Sequence, residues 1–236
     1  MHRREFLRGT ALAALTGLAG CSGVIGDVGG PPPKTYLERP ATSASHGTRG
    51  SAPSWGQQLP TSTLPGVFHG APVTIPGDFS GRNVFLTWFY SHGPKGSAAT
   101  IGALRSLQRR ALNVNYRTVF VAATFDPRQD IGRRLRAYAK AEYVDLGAGD
   151  WYFLRPETPA NARAVATGKY GVQFSKNHGS GGVQHYSYDP LVFLVNDRGY
   201  VERTYKRANP DRTRWRPMWR DLETLRQQEG KPVSLR

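Results

Sequence analysis

Asn83-Val-Phe-Leu-Thr-Trp-Phe-Tyr90 is a nearly unbroken run of β-branched and aromatic residues. Apolar side chains at consecutive positions require cover on both faces, which is the situation of a strand inside a layered sheet. Directly after it, Ser97 to Asn113 places Ile101, Leu104, Leu107, Ala111 and Leu112 on one helical stripe and leaves Arg105, Gln108 and Arg109 for solvent. The run from Arg117 to Phe125 repeats the buried-strand pattern. Strand, helix, strand predicts a parallel pair joined by a right-handed crossover. Asp130 stands where it can cap a second helix, with Ile131, Leu135, Tyr138 and Ala139 on one face.

Further along, Trp151-Tyr-Phe-Leu154 reads as a short strand, and Thr158-Pro159 as a cap followed by proline at the first helical position, opening a helix with Ala162, Val165 and Ala166. Leu191 to Val195 and Tyr200 to Tyr205 flank Asn196-Asp-Arg-Gly199, a hairpin with glycine at the residue needing positive φ. Trp215, Met218, Trp219, Leu222 and Leu225 recur at helical spacing in a closing amphipathic helix. The order β-α-β-α-β-α-β-β-α is that of an α/β thioredoxin-like fold: a central mixed sheet flanked by helices, with a terminal β-hairpin and a C-terminal helix. Asp189-Pro190 precedes the hairpin where many such folds carry a cis proline, and a cis peptide is expected there.

The 236 residues provide one domain with tails. Hydrophobic residues are 39% of the chain, enough for a buried core. The sole cysteine, Cys21, rules out an intrachain disulfide, a CxxC redox pair and a multi-cysteine metal cage. Its setting explains it. Arg3 and Arg4 precede Phe6 and Leu7, and an apolar run from Gly9 to Gly20 is too short to cross a membrane but suits a signal peptide. The start resembles a twin-arginine export signal, and Leu18-Ala19-Gly20-Cys21 resembles a lipobox whose cysteine is acylated. The bland alternative is a signal peptide with an incidental cysteine. Residues 1–20 are thus expected to be removed, residues 21–76, rich in Gly, Pro, Ser and Thr, to form a lipid-anchored flexible tether, and residues 77–230 to form the folded domain. The end of the tether, Leu64 to Ile75, can add an edge hairpin.

Processing removes Arg3, Arg4, Glu5 and Arg8 and changes the net charge from +15 to +13, so the basicity belongs to the exported domain. Export to the outer face of the cytoplasmic membrane excludes nucleic acid as a partner, whereas anionic lipid near the anchor is attracted by Lys and Arg side chains. A merely solvated basic surface is the other reading.

Asp78-Phe-Ser-Gly-Arg-Asn-Val-Phe-Leu86, Phe125-Asp-Pro-Arg-Gln-Asp130 with Arg134 to Tyr138, Gly149 to Leu154 and Phe193-Leu-Val-Asn-Asp-Arg-Gly199 together resemble the SCO/SenC family. The resemblance, from about Asp78 to Leu225, implies a membrane-tethered thioredoxin fold associated with copper delivery to the CuA centre of cytochrome oxidase. In that family a Tyr-Thr-His-Cys-Pro-x-x-x-Cys-Pro loop follows the first core strand, and its two thiolates hold copper with a distant histidine. Here Tyr90, His92 and Pro94 match, but Gly93 and Ser97 stand at the cysteine positions, and counting back from Phe193 puts Tyr188 at the histidine position. Neither glycine nor a neutral hydroxyl replaces a thiolate in Cu(I) binding or disulfide exchange. A loop insertion would instead bring His185 to the site. With His92 and His178 it can make a His-only site for Cu(II) or Zn(II); otherwise the three are unrelated surface histidines.

Ser91, His92 and Ser97 have hydrolase chemistry, but no G-x-S-x-G elbow accompanies them. Asp126 and Asp130 read as a turn residue and a helix cap. The expectation is a binding or assembly factor for a respiratory complex, without enzymatic activity and with copper implied only by the resemblance. The alternatives are a His-based metal-binding protein and a thioredoxin-superfamily redox enzyme, which the missing cysteines oppose.

Overall fold

The computed structural model describes residues 34–40, 52–92, 96–178, 184–206 and 215–229. The expectations for Cys21, Arg3, Arg4 and Gly93 lie outside the described residues. β1 (Ser62–Pro65) and β2 (Pro72–Ile75) form an antiparallel pair of their own, followed by a 3₁₀ turn at Gly77–Phe79. The main sheet comprises β3 (Asn83–Phe89), β4 (Thr118–Thr124) and β5 (Trp151–Leu154), parallel to one another. β6 (Phe174–His178) and β7 (Gln184–Tyr188) make a separate antiparallel hairpin. β8 (Leu191–Val195) and β9 (Val201–Lys206) then return to the main sheet, antiparallel, in the order β5-β4-β3-β8-β9.

Helices cover both faces, as the continuous apolar runs require. α1 (Gly96–Asn113), α2 (Gly132–Ala141) and α4 (Trp215–Glu229) pack with Phe85, Phe89, Phe120, Trp151 and Phe153. Val84, Leu86, Trp88, Val121 and Phe193 face the opposite side, under α3 (Pro159–Arg163), its π-helical extension Ala164–Lys169, and the two small hairpins. Pleat alternation therefore divides each strand between two cores. At the start of α3 the Thr158 hydroxyl accepts from Asn161 N at 3.0 Å, and Gly199 takes φ +84° in the β8–β9 turn.

Three expectations are corrected. The stretch 21–76 does not stay a free tether throughout, because Tyr36, Leu37 and Leu59 are buried. Tyr36 and Leu37 join one apolar core and Leu59 the other, and polar bonds add to the hold: Tyr36 N and Leu37 N donate to the Glu202 carboxylate at 2.9 and 3.0 Å, and Gly56 N and Leu59 N donate to Val201 O and Gly199 O. Composition alone does not register such bonds. Second, Asp130 is not a cap, since α2 begins at Gly132 with Ile131 before it. Third, the peptide bond of Asp189-Pro190 is not cis; among the described residues the cis bond is Ile75-Pro76. Pro190 leads straight into β8, and trans is the ordinary state of such a bond.

Candidate functional site

The C-terminal ends of β3 and β4 meet the start of α1 and the β6–β7 hairpin, and the side chains singled out by sequence gather there unevenly. Tyr90 leaves β3 fully buried. Its hydroxyl donates to Tyr186 O at 3.0 Å and accepts from Tyr186 N at 3.1 Å, tying the core sheet to β7. Around it Phe125, Phe174, Tyr186 and Tyr188 form an aromatic cluster with centroid separations of 4.8 to 6.0 Å. Burial raises the Tyr90 phenol above its ordinary range and Tyr186 to about 12, so both stay neutral.

Ser97 is 2% exposed at the start of α1, and its Oγ shares a 2.8 Å hydrogen bond with the Tyr188 hydroxyl. Each of these small polar groups occupies the other. His92 Nε2 lies 2.9 Å from Asp126 Oδ2. Burial alone would lift the Asp126 carboxyl, but the hydrogen bond and charge of His92, with the charge of Lys176, hold it below the ordinary aspartate range. Asp130 is fully buried and takes hydrogen bonds from Ser91 N, Ser91 Oγ and Thr124 Oγ1. Its carboxyl is raised by burial, against the opposing pull of those donors.

This network was missed by sequence reasoning. The signal was the i, i+4 spacing of two aspartates around Pro127. Gln129 N and Asp130 N both donate to Asp126 O, and that turn directs Asp130 inward instead of onto the helix end. With Ser91 committed to Asp130 and Ser97 to Tyr188, neither hydroxyl hydrogen-bonds to His92, so a serine-histidine nucleophile is not assembled.

Of the three histidines, the two with described side chains, His92 and His185, are not brought together. His92 is engaged by Asp126. Tyr186 and Tyr188 face the aromatic cluster, so His185 shares the opposite face of β7 with Ser187, which bonds Asn177 at 2.6 Å. The side chain of His178 lies outside the described residues. Among the described residues, no three His, Cys, Asp or Glu side chains gather as a metal site.

Residues 69–221, well over half of the chain, match the SCO1/SenC family model. The chain belongs to the SCO1/SenC family. None of the curated proteins matches it. Its fold is similar to that of a SCO1/SenC family lipoprotein from Bacillus anthracis str. Ames, at 17% identity and a TM-score of 0.58 over 73% of this chain and 95% of that one. It is also similar to Arabidopsis thaliana ScoI with copper bound, at 16% identity and a TM-score of 0.58 over 71% and 99%. BsSco, described with a disulfide switch as a member of the Sco family of cytochrome c oxidase assembly proteins, aligns at 16% identity and a TM-score of 0.56 over 71% and 92%. At these identities the likeness is one of fold.

In this SCO1/SenC member the described residues at the family's ligand positions do not fit Cu(I). Two of the three positions that the family resemblance assigns to ligands, Ser97 and Tyr188, meet as expected of a shared site, yet they offer two neutral hydroxyls already bonded to each other. Soft Cu(I) is held by thiolate or thioether sulfur, which neither residue has.

Proposed function

We propose that the chain is an exported, lipid-anchored SCO1/SenC protein that acts as a binding or assembly factor for a respiratory membrane complex, cytochrome oxidase, without copper-thiolate or thiol redox chemistry. The observation that carries this reading is the 2.8 Å Ser97–Tyr188 hydrogen bond, which closes the ligand positions while leaving the surrounding fold intact. In the sequence Cys21 precedes the domain, and on this reading it serves the membrane and not the site. The similarity to a family lipoprotein and to an oxidase assembly protein supports the setting. Deletion of the chain in its own cell, followed by quantification of assembled oxidase in membranes, tests it. Oxidase falls, and Tyr188→Phe or Ser97→Ala restores it as well as the unmodified chain does. Unchanged oxidase after deletion, or rescue of the deletion by added copper alone, overturns the reading.

A further inference from the structure

The opposite end of the sheet carries a cavity that the family chemistry does not use. Asn83 and Thr118 open β3 and β4 and face each other in parallel register. They are only 5% and 2% exposed, yet Asn83 Oδ1 and Thr118 Oγ1 have no hydrogen-bond partner, and Glu229 Oε1 is buried and unpartnered as well. All three residues line one cavity of about 200 Å³, whose wall also includes Tyr116, Arg117 and Arg226. Buried polar atoms are nearly always satisfied, and three orphans on one cavity mark an absent donor.

The chemistry of the orphans identifies that donor. An amide oxygen and a carboxylate oxygen only accept, and a threonine hydroxyl accepts equally well. The occupant must therefore present several N–H or O–H groups, and the carboxylate favours one with positive charge. Burial raises the Glu229 carboxyl, the neighbouring Asn83 side chain pulls it the other way, and Asp197 and Glu202 nearby raise it further. A cation relieves all of these at once. The Arg117 and Arg226 side chains carry the opposite requirement, and the Arg226 guanidinium lies 3.9 Å from the Tyr116 ring centroid, which holds it in place. Two guanidiniums match the three oxygens of a phosphate better than the two of a carboxylate.

We infer that this cavity binds a zwitterionic ammonium-phosphate group of the phosphoethanolamine type, with the ammonium against Asn83, Thr118 and Glu229 and the phosphate against Arg117 and Arg226. About 30 Å³ per water-sized group leaves room for it in a cavity of this volume. The source can be a phospholipid headgroup, because the cavity lies at the end of the sheet where the N-terminal segment docks. Gly81 N donates to Asp197 O, Tyr36 Oη donates to Asp197 Oδ1, and Asn196 Nδ2 donates to Lys34 O. Lys34 follows Cys21 by thirteen residues, at most about 45 Å of extended chain. The lipid source rests on the anchored reading proposed above; the ligand chemistry does not.

The test is calorimetric titration of the full chain carrying Cys21→Ser, which has no acyl group, with phosphoethanolamine, phosphocholine and inorganic phosphate. Phosphoethanolamine should bind at least tenfold more tightly than the other two, because the quaternary ammonium of choline has no N–H to donate. Glu229→Gln should weaken it at least tenfold. Thr118→Val should weaken it too while leaving the melting temperature unchanged or higher, since it removes an orphan. Absence of phosphoethanolamine binding, or equal binding of phosphocholine or phosphate, overturns the site. Sedimentation with ethanolamine- against choline-phospholipid vesicles separates the sources. Selective retention on the former identifies a lipid headgroup, and selectivity confined to the soluble compound supports the site with a free ligand.

Discussion

Ser97 Oγ and Tyr188 Oη, 91 residues apart in the chain, share a 2.8 Å hydrogen bond across the mouth of the fold. The two residues that the resemblance assigns to ligand positions thus satisfy each other, since each hydroxyl supplies a hydrogen-bond partner for the other. High-affinity Cu(I) binding is expected to be absent from the unmodified protein. The triple variant Gly93→Cys, Ser97→Cys, Tyr188→His should acquire it, because the neighbours Tyr90 and His92 remain in place. Competition with a calibrated chelator under reducing conditions measures both. Tight stoichiometric Cu(I) on the unmodified chain contradicts the expectation.

The aromatic cluster behind that pair should be what holds the β6–β7 hairpin. Phe125 is 1% exposed and touches the rings of Tyr90, Phe174, Tyr186 and Tyr188. Phe125→Ala is expected to cost about 3–5 kcal/mol in denaturant unfolding. Amide exchange should accelerate in Phe174–Tyr188 before it does in β4. Unchanged protection of the hairpin would show that another contact holds it.

The main sheet was legible because its central strands, Asn83–Phe89 and Thr118–Thr124, are apolar on both faces, short, and rich in β-branched and aromatic residues, which separates them from a buried helix. The β6–β7 hairpin was not, since Phe-Ser-Lys-Asn-His and Gln-His-Tyr-Ser-Tyr bury only one face and straddle a glycine run. Counting without a gap puts Tyr188 at the family's histidine position, and Tyr188 lies beside Ser97, whereas strand parity turns His185 to the other face of β7. Asp130 was misread because a carboxylate before a helix is usually a cap. Only the turn at Asp126 and the buried Thr124 hydroxyl turn it inward.

Anchoring is tested in the cell. Cys21→Ser should release the protein from membranes or leave an unprocessed precursor, and Arg3→Lys with Arg4→Lys should block export. Fractionation with immunoblotting reads both outcomes. A processed, membrane-bound Cys21→Ser chain would remove the lipid from the account.

Glu202 is fully buried and accepts from Tyr36 N, Leu37 N and Asn196 Nδ2. Glu202→Ala strands all three donors, and each buried unsatisfied group costs about 1–3 kcal/mol. The chain around Tyr36 should then detach and become protease-sensitive, with the site end of the sheet unaltered. Limited proteolysis followed by mass spectrometry locates the cuts, and continued resistance at residues 34–40 would show that burial of Tyr36 and Leu37 suffices.

Asp126 and Asp130 are four residues apart, and their carboxyls are displaced in opposite directions. Folding stability follows the difference in bound protons between unfolded and folded states, so the two should produce opposite pH slopes in separate windows. For Asp130 burial raises the folded value; the folded state takes up its proton first, and stability rises as pH falls from that raised value to the ordinary aspartate value. For Asp126 burial raises the carboxyl and the pairing with His92 and Lys176 more than offsets it, so its contribution is present above the ordinary value and is lost as pH falls through the depressed one. Asp130→Asn should therefore flatten the stability profile on the neutral side of the ordinary aspartate value, and Asp126→Asn on the acid side. Thermal unfolding of the wild type and both variants at closely spaced pH values separates the two effects. If Asp126→Asn changes the slope only on the neutral side, the His92 pairing does not govern that carboxylate.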